Sequence, residues 1–165
     1  MTDFLRNITL DPARPIRVLF ICLGNICRSP AAEGILRDVV ERHAESALWE
    51  IDSAGIGHWH IGQLPDPRMR SHARRRGIEL SHICRPITTD DYEHFDIIVG
   101  MDDANMRNIR RMLGEDTENK YRLLLEFAGI SREVDDPWYS GDFDKAWDDI
   151  ETGCRGLLEY LKKSI

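Results

Sequence analysis

The chain has no run of about eighteen apolar residues, so no membrane-spanning helix is expected and the sequence points to no membrane insertion. Its first fifteen residues scatter Asp3, Arg6, Asp11 and Arg14 among apolar ones, and have neither the basic start nor the apolar middle of a secretory leader. A cytoplasmic protein is the expectation. Cysteine is scarce, with four at positions 22, 27, 84 and 154. In a reducing cytosol they are expected free, and their spacing makes no persuasive zinc site, so neither a metal nor a cofactor is predicted. Positive charge is in deficit, at 22 Lys plus Arg against 29 Asp plus Glu, and the net charge of −7 argues against general nucleic-acid binding. A nucleotide-binding loop is disfavoured too, because no Lys-Ser/Thr pair follows the glycine of the one loop that resembles it.

What remains is an ordinary single-domain chain of 165 residues, 42% apolar, with enough core-forming residues to need no staples. Charge is unevenly placed. Arg68, Arg70, Arg74, Arg75 and Arg76 crowd one segment, while residues 133 to 151 hold eight acids against Lys145. Two solvated faces are the simpler reading, with a docking role for the basic segment as the alternative.

The most informative stretch runs from Cys22 to Ser29. The apolar residues Val18, Leu19, Phe20 and Ile21 read as a strand feeding into Cys22. Ser29-Pro30 then opens a segment with Ile35, Leu36, Val39 and Val40 at helical spacing, with Ser29 as its cap and Pro30 at its first position. A tight loop that ends on a helix N-terminus turns several backbone N–H groups toward one point, which favours an oxyanion there. Gly24 and Asn25 tolerate the curled backbone this requires, and Arg28 offers a planar fork suited to two phosphate oxygens. In such a field a thiol pKa falls to roughly 3.5 to 7.5, which makes Cys22 a candidate thiolate nucleophile. Cys27, in the same loop, is a candidate partner for Cys22 after oxidation, or simply a packing residue.

Along the chain, Trp49 to Asp52 reads as a strand, followed by a loop from Ser53 to Asp66. Asp66-Pro67 starts an Arg-rich helix that Gly77 ends. Another helix starts near Thr89. Asp96 to Met101 is an interior strand, a helix carries Met106, Ile109 and Leu113, and Tyr121 to Phe127 is a fourth strand. The last helix lines up Phe143, Trp147, Ile150, Cys154, Leu157 and Leu161, and its Gly153 and Gly156 demand either a close neighbour or a soft helix. This alternation predicts an α/β fold of three layers: a central four-stranded parallel sheet flanked by helices, with a phosphate-binding loop between the first strand and first helix. Residues 1–15 are read as an N-terminal extension, in which Phe4, Leu5, Ile8 and Leu10 are available to pack and Asn7-Ile8-Thr9 is an idle glycosylation pattern. Residues 16–165 form the domain.

The run from Val18 to Glu33, together with Asp52-Ser53-Ala54-Gly55, Ser81-His82, Met101-Asp102 and Asp136-Pro137-Trp138-Tyr139, resembles the low-molecular-weight protein tyrosine phosphatases. The resemblance implies hydrolysis of phosphotyrosine in a protein or peptide through a phosphocysteine on Cys22, without a metal. Arg28 and the amides of Leu23, Gly24, Asn25, Ile26 and Cys27 would clamp the phosphate. It further implies Asp136 as general acid, which Pro137 helps present by holding the preceding backbone extended. Ser29, Ser53 and His82 would hold Asn25 in a left-handed conformation, and Trp59, Trp138 and Tyr139 would form an aromatic rim. Related phosphoarginine phosphatases carry Thr where this chain has Ile26, which favours phosphotyrosine. The alternatives are a phosphoarginine phosphatase, an arsenate reductase on the same scaffold with Cys84 as a relay thiol, and a phosphoprotein-binding module without turnover.

Overall fold

Alternate residues of the first strand go to opposite sides of the sheet, and this sorts the whole core. In the computed structural model, which describes residue 8 and residues 10–162, β1 (Ile16–Cys22) sends Ile16, Val18, Phe20 and Cys22 into one apolar cluster and Leu19 and Ile21 into another. Such a strand must be covered on both faces. The larger cluster lies under α1 (Arg28–Arg42) and α6 (Phe143–Lys162), and the smaller one under α3 (Asp90–His94) and α4 (Asp103–Leu113).

β1 pairs in parallel with β2 (Trp49–Gly55) on one side and with β3 (Ile97–Gly100) on the other, and β4 (Tyr121–Leu123) joins β3. The order is β2-β1-β3-β4, the expected four-stranded parallel sheet. The chain leaves β1 in one direction and later returns to its other side, so the order reverses at β1. Crevices form beyond the carboxyl ends of strands at such a point, and Cys22 ends β1 there.

Several boundaries match the sequence reading and several correct it. α2 (Pro67–Arg75) is capped by Asp66, whose side chain accepts from Arg68 N, and Gly77 follows at φ 79°. β2 runs on through Ser53 to Gly55, so Ser53 stands on a strand, not in a loop. The fourth strand stops at Leu123, and Leu124–Ala128 is a 3-10 turn. That turn packs under α6: a Cβ on Gly153 would lie 2.5 Å from Leu124 Cγ, and one on Gly156 would lie 2.5 Å from the Phe127 carbonyl oxygen. Close approach, not softness, accounts for both glycines. The segment after Asp136 forms a short helix, α5 (Pro137–Ser140), capped by the Asp136 carboxylate.

Ser29 does not cap α1, and Pro30 is its third residue, where a missing N–H still matters little because the first four have no partner within the helix. The charged faces largely neutralise themselves. Arg68 pairs with Asp66, Arg74 with Glu79, and Arg76 with Asp144, the last joining the basic helix α2 to the acidic start of α6. Of the N-terminal residues, Ile8 and Leu10 pack against the larger cluster, and Arg14 holds the buried Asp96 through two bonds of 2.9 and 2.6 Å. Phe4, Leu5, Asn7 and Thr9 lie outside the described residues, so the glycosylation pattern does too. No described helix is long and apolar enough to cross a membrane.

Candidate active site

The loop from Leu23 to Cys27 is best understood by asking where its carbonyls go. Cys22 O accepts from Ile56 N, Leu23 O from Gly57 N, and Ile26 O from Asp66 N, at 3.1, 2.8 and 2.8 Å. Asn25 O accepts from the Cys84 thiol at 2.8 Å. All of these donors belong to other segments packed outside the loop. In a trans peptide the C=O and N–H lie in one plane and point in opposite directions, so the following amides, those of Leu23, Gly24, Ile26 and Cys27, turn the other way. Leu23, Gly24, Ile26 and Cys27 all line the same cavity, which is the arrangement an anion nest requires.

Asn25 has φ 57°, the left-handed conformation expected of it, and it is 1% exposed. A non-glycine residue stays there only when its surroundings fix it. Its Nδ2 donates to Ser29 Oγ at 2.8 Å and to Ser53 Oγ at 3.0 Å. Its Oδ1 accepts from Arg85 N at 3.0 Å and lies 2.9 Å from His82 Nε2. Ser53 in turn donates to Glu33, which also lies 3.1 Å from His82 Nδ1. Gly55 completes the fit, since a Cβ there would sit 2.9 Å from the Asn25 Cβ. Ser29, Ser53 and His82 thus meet around Asn25, behind the loop.

Glu33, Asp52 and His82 bring ligand-type atoms within 4.8 Å of one another. They do not fit a cation. Arg37 pairs with Glu33 and Arg85 with Asp52, and these guanidinium charges on the same two carboxylates oppose a metal ion there.

Cys22 Sγ lies 3.0 Å from Ser29 Oγ and accepts from Ser29 N at 3.4 Å. Since the Ser29 oxygen already accepts from Asn25, its single proton is free for the sulfur. Arg28 is 2% exposed. Its Nη1 donates to Asp102 Oδ2 at 2.7 Å and to Val134 O at 2.8 Å, while Nη2 lies 3.4 Å from Asp136 Oδ2. Burial disfavours its charge, but Cys22, Asp102 and Asp136 outweigh that and hold the guanidinium pKa above its ordinary value. With Nη1 committed to the protein, the donors left for a phosphate are Nε and Nη2.

Cys22, Leu23, Gly24, Ile26, Cys27, Arg28 and Asp136 line one cavity of about 240 Å³, with Trp59, Trp138 and Tyr139 at its mouth. Trp59 folds back over Gly57, where a Cβ would sit 1.9 Å from the indole. Trp138 is braced by Arg68, whose guanidinium lies 5.4 Å from its ring centroid. His60, which the sequence reading passed over beside Trp59, lines the same cavity, 6.1 Å from the Trp138 ring. Asp102 was also left without a role, yet it caps α4 through Asn105 N at 2.7 Å while holding Arg28. An Asp directly between a strand and a helix was the available signal for it.

The four cysteines are free and buried. Burial, reinforced by the neighbouring Cys22 and Asp66, pushes the Cys27 thiol well up. Burial, reinforced by Cys22, pushes Cys84 up to about 11. A protonated, buried Cys84 already donating to Asn25 O is poorly suited to the relay role an arsenate reductase would demand.

A parallel sheet with a nucleophile-bearing anion nest at its carboxyl edge, faced by an aspartate, defines the cysteine-dependent phosphatase class. The chain belongs to the low molecular weight phosphotyrosine protein phosphatase family, whose sequence profile matches residues 17–165. It is 46% identical over 129 residues to the family's protein from Schizosaccharomyces pombe, covering 76% of this chain and 83% of that one. The crystal structure of YfkJ from Bacillus subtilis superimposes with a TM-score of 0.89 at 38% identity, over 93% of this chain and 99% of that one. The Drosophila arginine phosphatase DARP superimposes with a TM-score of 0.82 at 32% identity, over 89% and 98% of the two chains.

Proposed function

We propose that the chain hydrolyses phosphotyrosine monoesters in a protein or peptide, with Cys22 as nucleophile, Arg28 as phosphate clamp and Asp136 as general acid and base. The observation that carries this is the convergence of the Cys22 sulfur, the loop amides, Arg28 and Asp136 on one cavity behind an aromatic mouth. The Cys22 thiolate attacks phosphorus while the bond to the tyrosyl oxygen breaks, and Asp136 gives that oxygen its proton. Water then attacks the phosphocysteine and loses a proton to Asp136. The P–S bond breaks, releasing phosphate and the Cys22 thiolate, which the Ser29 hydroxyl and amide steady. The amides of Leu23 to Cys27 and the Arg28 donors meet the charge on the equatorial oxygens, so electrostatic preorganisation supplies what a metal does elsewhere. Ser29, Ser53 and His82 serve by fixing Asn25. We take residues 16–165 as the phosphatase domain, residues 1–15 as an extension, and the cytosol, where phosphotyrosyl proteins occur, as the working compartment.

Phosphoarginine is the second reading, because a solved neighbour is an arginine phosphatase. Ile26 in the cavity wall and the flat aromatic mouth support phosphotyrosine over it. The test compares kcat/KM for one peptide carrying phosphotyrosine, phosphoserine or phosphoarginine, with chelator and thiol reductant present. Preference for phosphotyrosine by more than about tenfold is expected from aromatic stacking at the mouth. Preference for phosphoarginine transfers the assignment to that substrate, and tight binding without release to a phosphoprotein-binding module.

A further inference from the structure

The carbonyls of Cys22, Leu23 and Ile26 are held by backbone amides, of Ile56, Gly57 and Asp66. No side-chain substitution removes those bonds directly. Asn25 O differs, because its donor is a side chain, the Cys84 thiol at 2.8 Å. We propose that Cys84 is a positioning residue of the active site, which fixes the plane of the Asn25–Ile26 peptide and so aims the Ile26 amide at the bound phosphate. The proposal rests on the phosphate-binding reading of this loop and deepens it.

The peptide is planar, so a proton delivered to the Asn25 carbonyl from outside sets the Ile26 N–H toward the inside, where Ile26 lines the cavity. Asn25 is in the left-handed region, in which the adjoining peptide planes have few neighbouring alternatives for an L-residue. Asn25 is buried, at 1% exposure, and the Cys84 thiol is the donor to its carbonyl, so removing that thiol leaves a buried acceptor without it. The side-chain bonds from Asn25 to Ser29, Ser53 and His82 fix the side chain; the thiol fixes the peptide that follows it. Cys84 itself is placed by a two-strand pairing of loops, with Gly62 N donating to Cys84 O and Cys84 N to Gln63 O, each at 2.9 Å. Burial keeps its proton in place for donation.

The test compares Cys84→Ala with Cys84→Ser. Inorganic phosphate is the probe, measured by direct calorimetric titration, by competitive inhibition of phosphotyrosyl-peptide hydrolysis, and by the shift of the Ile26 amide signal in 15N NMR. Alanine leaves a buried acceptor unpaired, so phosphate binding weakens about five- to tenfold and the Ile26 shift shrinks, while serine, an O–H donor of similar reach, restores both to within about twofold. The expected loss falls on kcat/KM and phosphate affinity, with melting temperature serving to separate it from general destabilisation. If alanine does not fold, Cys84→Val fills the space without a donor and takes its place. Alanine or valine binding phosphate as well as the native chain overturns the proposal, as does serine failing alongside them. A native chain that binds no phosphate overturns the phosphatase reading, and this proposal with it.

Discussion

Arg28 Nη2 lies 3.4 Å from Asp136 Oδ2, although the two residues are 108 positions apart, Arg28 opening α1 and Asp136 capping α5. The clamp and the acid are therefore in register before any substrate arrives. Asp102 holds the other side of the guanidinium, at 2.7 Å, so Arg28 is fixed between two carboxylates and its fork cannot swing out of the cavity. An arriving phosphate would share Arg28 with Asp136.

Asp136→Ala should therefore slow turnover in a way that depends on the leaving group. For a poor leaving group such as an alkyl-substituted phenol, kcat should fall by about 10²- to 10⁴-fold, the usual worth of a positioned general acid. A strongly acidic phenol needs little protonation, so its first step should change far less. Steady-state and burst kinetics on a series of aryl phosphates make the comparison; equal losses across the series would remove Asp136 from the acid role.

Gly156→Ala and Gly153→Ala separate packing from chemistry. At Gly156 a new Cβ meets the Phe127 and Ala128 backbone at 2.5 to 2.9 Å, so the 3-10 turn must shift, and overpacking of this kind costs about 1–3 kcal/mol. At Gly153 the new Cβ meets the buried Leu124 side chain at 2.5 to 3.1 Å, which must repack, and alanine offsets part of that cost with about 1 kcal/mol of helix propensity. Urea denaturation should show both variants destabilised, the first, against backbone, more than the second, against a side chain, with KM unchanged in both.

Asp66 supplies a pH-dependent part of the stability. Burial opposes its ionisation, but the bonds from the Arg68 side chain and backbone prevail and hold its pKa below the ordinary 3.8. A carboxylate lowered on folding stabilises the folded chain fully above the unfolded-state value and ceases to do so as pH falls through the folded-state value. Asp66→Asn keeps the cap and removes the charge. The stability gap between native and variant should be widest near pH 6 and close as the pH drops below about 3, read from urea midpoints at each pH. A gap that widens in acid would contradict the assignment.

Much of this was legible in the chain because local chemistry and tertiary need agree. The buried run of β1, the Asp66-Pro67 start and Gly77 stop of α2, and the Gly-Asn turn each have one physically sensible reading. Ser29 has two: a hydroxyl at a helix start can cap amides or reach a side chain, and only the folded loop, which brings Asn25 and Cys22 to it, decides. The apolar stretch after Tyr121 reads as strand throughout, but Leu124 to Ala128 must turn beneath α6, whose glycines lie far along the chain. Glu33, Cys84 and Arg85 carry no local signal of this role, and they matter here only because α1 and the 81–86 segment bring them to the back of the loop.

The most direct measurement is phosphate release from a phosphotyrosyl peptide, with chelator and reductant present, by the native chain and by Cys22→Ser, combined with acid-quench mass analysis of the enzyme during turnover. The account predicts release by the native chain, a transient phosphate adduct on Cys22, and neither in the variant. Undiminished release by Cys22→Ser, or an adduct on another residue, would contradict it.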